Sequence, residues 1–396
     1  MNKEILNTGV QQYIKNFNKD DILAVSFQKE IFPGIENKEL VQQLEGRRIC
    51  LRKLPLWHTS KGIYYPPKRA LEQSSSELTA RYKSKLVSGK SLIDLTGGFG
   101  VDSFFLSQQT DHLTYCELSA ELAAIAMHNF EVLGAGNIKV LNVDGQKYLE
   151  QLNKPVDWIY LDPSRRDPDA KRVFLLEDAD PPLPDILPYL WQKSDNILIK
   201  TSPLIDLSSG LKTLRSVKEV HIVAVRNEVK ELLWVLEKNF SGETSITTIN
   251  IIKGKDQLMS FLWLEEKSAS CDFGSCGEYL YEPNAAIMKS GAFKLIAQRY
   301  GLRKLHEHSH LYTSDTLKEF PGKRFQLETS FKYSRKNIKR SGIQKANITI
   351  RNFPYSVAEL RKEHRIADGG DQTLFFTTDH MGEFVVLLCR AIARDL

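Results

Sequence analysis

The run Leu92-Ile-Asp-Leu-Thr-Gly-Gly-Phe-Gly-Val-Asp102 passes from a short apolar strand, through three glycines, into a helix-forming segment. Glycine lets a backbone turn tightly and approach a ligand closely. The N-terminus of the following helix adds oriented N–H donors. Taken alone, such a turn also fits a dinucleotide site or a plain tight strand-to-helix loop.

Working outward, the spacing predicts alternating strands and helices. Strands are expected at Ser91–Leu95, His112–Cys116, Ile138–Leu141, Val156–Leu161, Asn196–Lys200 and Glu219–Val225. Helices are expected at Val101–Gln109, Ala120–Leu133, Gln146–Leu152 and Pro184–Gln192. That alternation implies βαβ units and a parallel, doubly wound sheet, an α/β fold. Three acids then fall at successive strand ends. Glu117 lies 20 residues beyond Gly97, where a carboxylate can accept both hydroxyls of a ribose. Asp144 follows the third strand, within reach of an adenine amino group, and Asp162-Pro163-Ser164-Arg165 follows the fourth. A nicotinamide dinucleotide fits less well, because the turn reads Gly-Gly-Phe-Gly rather than Gly-x-Gly-x-x-Gly.

With Asp94 and Gly97, Gly98 and Gly100, Glu117, Asp144 and Asp162-Pro163 in this order, residues 73–225 resemble the class I S-adenosylmethionine-dependent methyltransferases. The resemblance implies a Rossmann-like sheet and S-adenosylmethionine as cofactor, held by Asp94, Thr96, Gly97, Gly98, Gly100, Glu117 and Asp144. It implies that Asp162, Pro163, Ser164 and Arg165 position the acceptor. Ser164 and Arg165 stand where amine-methylating members carry proline and an aromatic residue, which points away from an exocyclic amine. Three further stretches resemble bacterial methyltransferases with a THUMP-like C-terminal domain: Gln73–Lys83; Leu161–Asp167; and Lys345–Ile348 with Arg351–Pro354, Asp368–Gly370 and Leu374–Thr377. By analogy with THUMP domains, they imply RNA as the substrate.

Composition fits this reading. The chain has 396 residues, more than one core usually serves, so roughly two to four domains are expected. Apolar residues make up 42% and charged residues 26%, which excludes a disordered, collagenous or coiled-coil chain. Net charge is only +5, permitting but not demanding a nucleic-acid partner. No export signal or membrane-spanning run is visible, and five scattered cysteines suit a reducing cytoplasm. The expected domains are 1–88, helical, with an extended connector over Pro55–Pro67; 89–265, the methyltransferase sheet; 266–322, a linker and small α+β, ferredoxin-like segment; and 323–396, THUMP-like.

Nine cations against Glu328 give residues 323–351 a charge of +8, with Phe325, Phe331 and Tyr333 interleaved. Cations track a phosphate backbone and aromatic faces stack on bases. Lys332, Arg335, Lys336, Lys339 and Arg340 are the nucleic-acid candidates. Arg165 and Arg166 can contact phosphate or pair internally with Asp167, Asp169, Glu177 or Asp178. His306, His308 and His310 alternate on an expected strand, but no carboxylate or cysteine pair supports a metal, so none is expected. The alternatives are methylation of a protein or small molecule, or an RNA-binding protein with a vestigial cofactor domain.

Overall fold

The computed structural model describes residues 1–18, 21–165, 176, 179–180 and 182–393. The chain divides into two compact units: residues 1–220 with 230–242, and 221–229 with 243–396. The division falls inside the strand Val217–Val225.

The first unit opens with helices α1 (Thr8–Asn16), α2 (Asn37–Lys53), α3 (Pro55–Thr59), α4 (Lys68–Gln73) and α5 (Glu77–Ser84). Helix α5 starts where its sequence says it should, with the Ser76 side chain accepting from Thr79 N. The expected extended connector over Pro55–Pro67 begins instead as α3. Pro55 sits in its first turn, where a missing N–H costs nothing, and Trp57 is fully buried among Phe99, Phe104 and Phe105.

The sheet of this unit contains β1 (Gly89–Asp94), β2 (Thr110–Cys116), β3 (Ile138–Leu141), β4 (Trp158–Leu161) and β5 (Asn196–Thr201), followed by β6 (Val217–Val225) at the division and β7 (Glu228–Glu237). The order within the unit is β7-β5-β4-β1-β2-β3. Neighbours from β5 to β3 are parallel, and β7 joins β5 antiparallel. The chain winds outward from β1 to β3, then crosses to β4 on the other side of β1. The order therefore reverses between β1 and β4, and a ligand crevice opens at the carboxyl ends of those strands. Connecting helices are α6 (Val101–Leu106), α7 (Ala120–Val132), α8 (Gly145–Gln151), α9 (Leu183–Leu190) and α10 (Leu207–Thr213). Leu92, Ile93, Ile159, Tyr160, Ile197, Leu198 and Ile199 are almost wholly buried, as parallel strands covered on both faces require.

In the second unit β8 (Ser245–Ile251) and β9 (Gln257–Leu262) pair antiparallel, as their apolar runs suggest. A seven-stranded sheet follows. It contains β10 (Tyr279–Pro283), β11 (Arg303–Lys304), β12 (Tyr312–Ser314), β13 (Gly322–Lys332), β14 (Asn347–Arg351), β15 (Gln372–Thr378) and β16 (Phe384–Ala391), in the order β11-β12-β10-β13-β16-β15-β14. Strands β15 and β16 bury both faces. Leu374, Phe376, Val386 and Leu388 point to one core, and Phe375, Leu387 and Cys389 to another. Two helices, α11 (Ala285–Ser290) and α12 (Phe293–Tyr300), follow β10 and are separated at Gly291, with φ +76°. Of the expected strand over His306–Tyr312, residues 306–311 are a turn and loop and only Tyr312 joins a strand, β12; with His310 at φ +51°, alternation no longer puts the three histidines on one face. Helices α13 (Arg335–Ser341) and α14 (Val357–His364) complete the unit. Among the described residues no helix is long and apolar enough to cross a membrane.

Candidate functional site

The crevice is a cleft of about 820 Å³ lined from β1 and its glycine turn, the ends of β4 and β5, and the α4–α5 connection. Asp94, Thr96, Gly97, Gly98 and Gly100 line it together with Asp162 and Pro163. Asp94 is 1% exposed. Its carboxylate accepts from Thr96 N at 2.9 Å, from the Thr96 hydroxyl and from the Ser103 hydroxyl, which fixes the turn. Burial pushes this carboxyl up to about 7, against the hydrogen bonds that favour its charge. Thr96 Oγ1 in turn accepts from Asp162 N at 2.7 Å, joining the ends of β1 and β4.

Two glycines are required by what surrounds them. A Cβ on Gly97 would lie 2.3 Å from the buried Tyr115 ring, whose hydroxyl donates to Gly98 O. Gly100 has φ +82° and would meet Phe130 at 2.5 Å. Backbone and ring thus leave a smooth floor that a side chain would fill.

Glu117 stands at the end of β2. Its Oε2 accepts from Gly98 N at 2.7 Å and its Oε1 from Ser119 N at 2.7 Å, and each oxygen keeps further acceptor capacity. Asp144 does not line the cleft. It caps α8, accepting from Gln146 N and Lys147 N, while Gly145 is pressed against Leu95 O, where a Cβ would sit at 2.6 Å. Ser164 and Arg165 form a two-residue antiparallel ladder with Asp180 and Ala179. Arg166 and its expected partners Asp167, Asp169, Glu177 and Asp178 lie outside the described residues.

Five site residues escaped the sequence reading. Lys200, near the end of β5, is ion-paired with Asp162. Burial alone would lower its ammonium, but Asp162, Asp102 and Glu231 outweigh that and hold it above its ordinary value. Lys83 of α5 is wholly buried, with Asp102 Oδ1 at 2.8 Å, Glu231 Oε2 at 3.3 Å and the Ser75 hydroxyl at 3.0 Å. Tyr160 donates its hydroxyl to Asp102 Oδ2 at 2.7 Å. Burial would raise Asp102, yet the two lysines hold it low, while burial wins at Glu231 and raises it.

The C-terminal candidates sit on and before α13. Lys332 pairs with Glu383 and Arg335 with Glu363 on the surface. Lys336, Lys339 and Arg340 are exposed and, among the described residues, make no ion pair, so the open charge gathers on one stripe of a single helix. Lys323 and Arg351 both pair with Glu282, and Arg324 with Glu319, which lessens the tract's charge. Phe325 is 4% exposed and belongs to the core, so it cannot stack on a base. Among the described residues no group of His, Cys, Asp or Glu is placed to hold a metal.

The cleft fits a nucleoside carrying an amino-acid arm. The glycine floor admits close backbone approach, and Asp94 and Asp162 line the cleft with Lys200, while Glu117 is not among the lining residues and reaches the site through its bond from Gly98 N. Comparison with known proteins agrees. Residues 279–321 match a ferredoxin-like domain family and 322–391 a THUMP domain-like family. The crystal structure of a candidate methyltransferase from Porphyromonas gingivalis W83 is 35% identical, with a TM-score of 0.89 over 99% of both chains. An uncharacterised S-adenosylmethionine-dependent methyltransferase from two strains of Mycobacterium tuberculosis is 21% identical over 63% of this chain. The match spans 65% of the length of those curated relatives. The chain belongs to the class I S-adenosylmethionine-dependent methyltransferases with a THUMP-like C-terminal domain.

Proposed function

We propose that this chain transfers a methyl group from S-adenosylmethionine to structured RNA, ribosomal or transfer, docked through its C-terminal module. Asp94, Thr96, Gly97, Gly98, Gly100 and Glu117 hold the cofactor, with Asp144 fixing the loop beside them. When bound, the cofactor supplies an electrophilic methyl group. The chain's own part is to place the acceptor in line with it and exclude water, a task for Asp162 and the segment from Pro163 to Arg165. The reading assigns 1–88 to the helical wall, 89–265 to methyl transfer, 266–322 to the ferredoxin-like segment and 323–396 to docking. Five free thiols favour a cytoplasmic site of action.

The observation that carries the RNA reading is the pairing of charge and rings around α13. Tyr333, one residue before the helix cap, packs against Phe353 at 5.1 Å. Phe353 also contacts Tyr355 and Phe384. Tyr355 and Phe384 are 41% and 43% exposed, unlike ordinary core rings. Open cations with stackable rings suit unpaired RNA. The test is incubation with radiolabelled S-adenosylmethionine and extract from cells lacking the gene, then treatment with RNase or protease. Label lost only to RNase is expected. Label that survives RNase and falls with protease would overturn the RNA reading.

A further inference from the structure

We propose that the acceptor in this site is a hydroxyl oxygen, in RNA the ribose 2′-hydroxyl, and that Lys200 and Asp162 are the catalytic pair that activates it. This rests on the methyl-transfer reading and adds the chemical class of the accepting atom.

A strand-to-helix turn that only holds a nucleoside has no need of lysine. Here the cleft wall carries Lys200 against Asp162, and behind it Lys83 against Asp102 and Glu231. Placing one ammonium wholly inside, at Lys83, and a second largely inside, at Lys200, is costly unless their charge does something. Lys83 and Lys200 face Asp102, Asp162 and Glu231, and among the described residues the buried Glu231 Oε1 has no hydrogen-bond partner. Lys83 and Glu231 are positioning residues: they fill the space behind Lys200 with fixed charge, and Glu231, with Asp162 and Asp102, keeps Lys200 an ammonium.

An ammonium beside the reacting atom distinguishes acceptors. A neutral amine gains positive charge as it is methylated, so Lys200 would oppose the reaction. A hydroxyl does the opposite. Its oxygen becomes negative as the proton leaves, and a preorganised N–H donor stabilises that charge. Asp162, ion-paired with the same lysine, is placed as the proton acceptor. In the step, the hydroxyl oxygen forms a C–O bond to the methyl carbon as the carbon–sulfur bond of the donor breaks. The hydroxyl proton passes to the Asp162 carboxylate and then to water. The products are a methyl ether, the donor's thioether and one proton. Each internal RNA nucleotide offers a single free hydroxyl, at the ribose 2′ position.

The experiment is alkaline hydrolysis of RNA from cells lacking the gene after labelling by the intact protein. A 2′-methyl ether blocks cleavage of the next phosphodiester, so label is expected in alkali-resistant dinucleotides. Label in mononucleotides means base methylation and overturns this proposal while leaving RNA methyl transfer standing. Label absent from RNA overturns both readings. Lys200→Met, with donor binding followed by calorimetry, should bind S-adenosylmethionine within about threefold of the parent and lose about 10²–10³-fold in turnover. Lys200→Arg, which keeps the charge, should retain more turnover than Lys200→Met. Undiminished labelling by Lys200→Met would overturn the role given to that residue.

Discussion

Gly97→Ala tests whether the glycine floor is shaped by its neighbours. The new methyl carbon would lie 2.3 Å from Tyr115 Cε2 and 2.4 Å from Cζ. The ring has little freedom to yield: Tyr115 is fully buried, stacked edge-on against Phe130 at 5.6 Å, and hydrogen-bonded to Gly98 O. Overpacking of this kind costs about 1–3 kcal/mol. If the ring moves, its hydroxyl loses a buried partner, adding about 1–3 kcal/mol. Urea denaturation should therefore show a loss of roughly 2–6 kcal/mol. Calorimetry should show cofactor binding weakened at least tenfold, since the displaced ring drags Gly98 with it. Gly136→Ala, where nothing lies within 4 Å, is the control and should change neither. In Gly97→Ala/Tyr115→Leu the stability losses should sum to less than those of the two single variants, because the second change makes room for the first. A Gly97→Ala protein of parental stability and parental cofactor affinity would refute the reasoning.

Other outcomes follow from the same geometry. Glu117→Ala removes charged hydrogen bonds worth about 1.5–3 kcal/mol, so cofactor affinity should fall roughly 10–150-fold by calorimetry; unchanged affinity would put the cofactor elsewhere. Asp94, raised to about 7 by burial, is part-protonated at neutral pH, and a cationic donor favours its ionised form. Binding should therefore release a proton near pH 7 and cease to do so near pH 9, and equal heats in buffers of different ionisation enthalpy at pH 7 would contradict this. The folded chain also holds that proton more tightly than the unfolded one. The group's contribution to stability should thus decline as pH rises from its ordinary value of 3.8 to about 7. Lys336, Lys339 and Arg340 changed together to Gln should lower the slope of log RNA affinity against log salt by about 2, and an unaltered slope would remove α13 from the interface. Lys83→Met leaves Asp102 and Glu231 buried without their cation and should cost about 3–5 kcal/mol in urea denaturation, a loss that Glu231→Gln should partly restore.

The parallel sheet and the glycine turn were legible because their signals are local. Strand, turn and helix follow within eleven residues at Leu92–Asp102, and the acids after β2, β3 and β4 come at fixed points of a repeating unit. The lysine–carboxylate layer was not legible because nothing local joins Lys83, Asp102, Tyr160, Lys200 and Glu231. Helix α5, strand ends and the antiparallel β7 bring them together only once the sheet has formed. Lys83 looks like any helix-surface cation in Arg81-Tyr-Lys83, and Glu231 adjoins an apolar run with no clear period. Alternation misled at His306–His310 because a turn reads the same as a strand until the left-handed backbone at His310 is known. Clustered charge overstated the C-terminal tract because Glu282, Glu363 and Glu383, distant in sequence, and Glu319, just ahead of the tract, pair with five of its cations.

The ferredoxin-like and THUMP-like stretches meet between Pro321 and Gly322, yet that junction is where β13 begins its ladder with β10, from Pro283–Gly322 to Tyr279–Gln326. What looks in sequence like a border between two cassettes is a hydrogen-bonded weld. Severing it would bare the edges of β10 and β13 together and open Phe325 and Leu280 to water. A cut at Pro321 would therefore deliver two unfinished halves rather than two working parts.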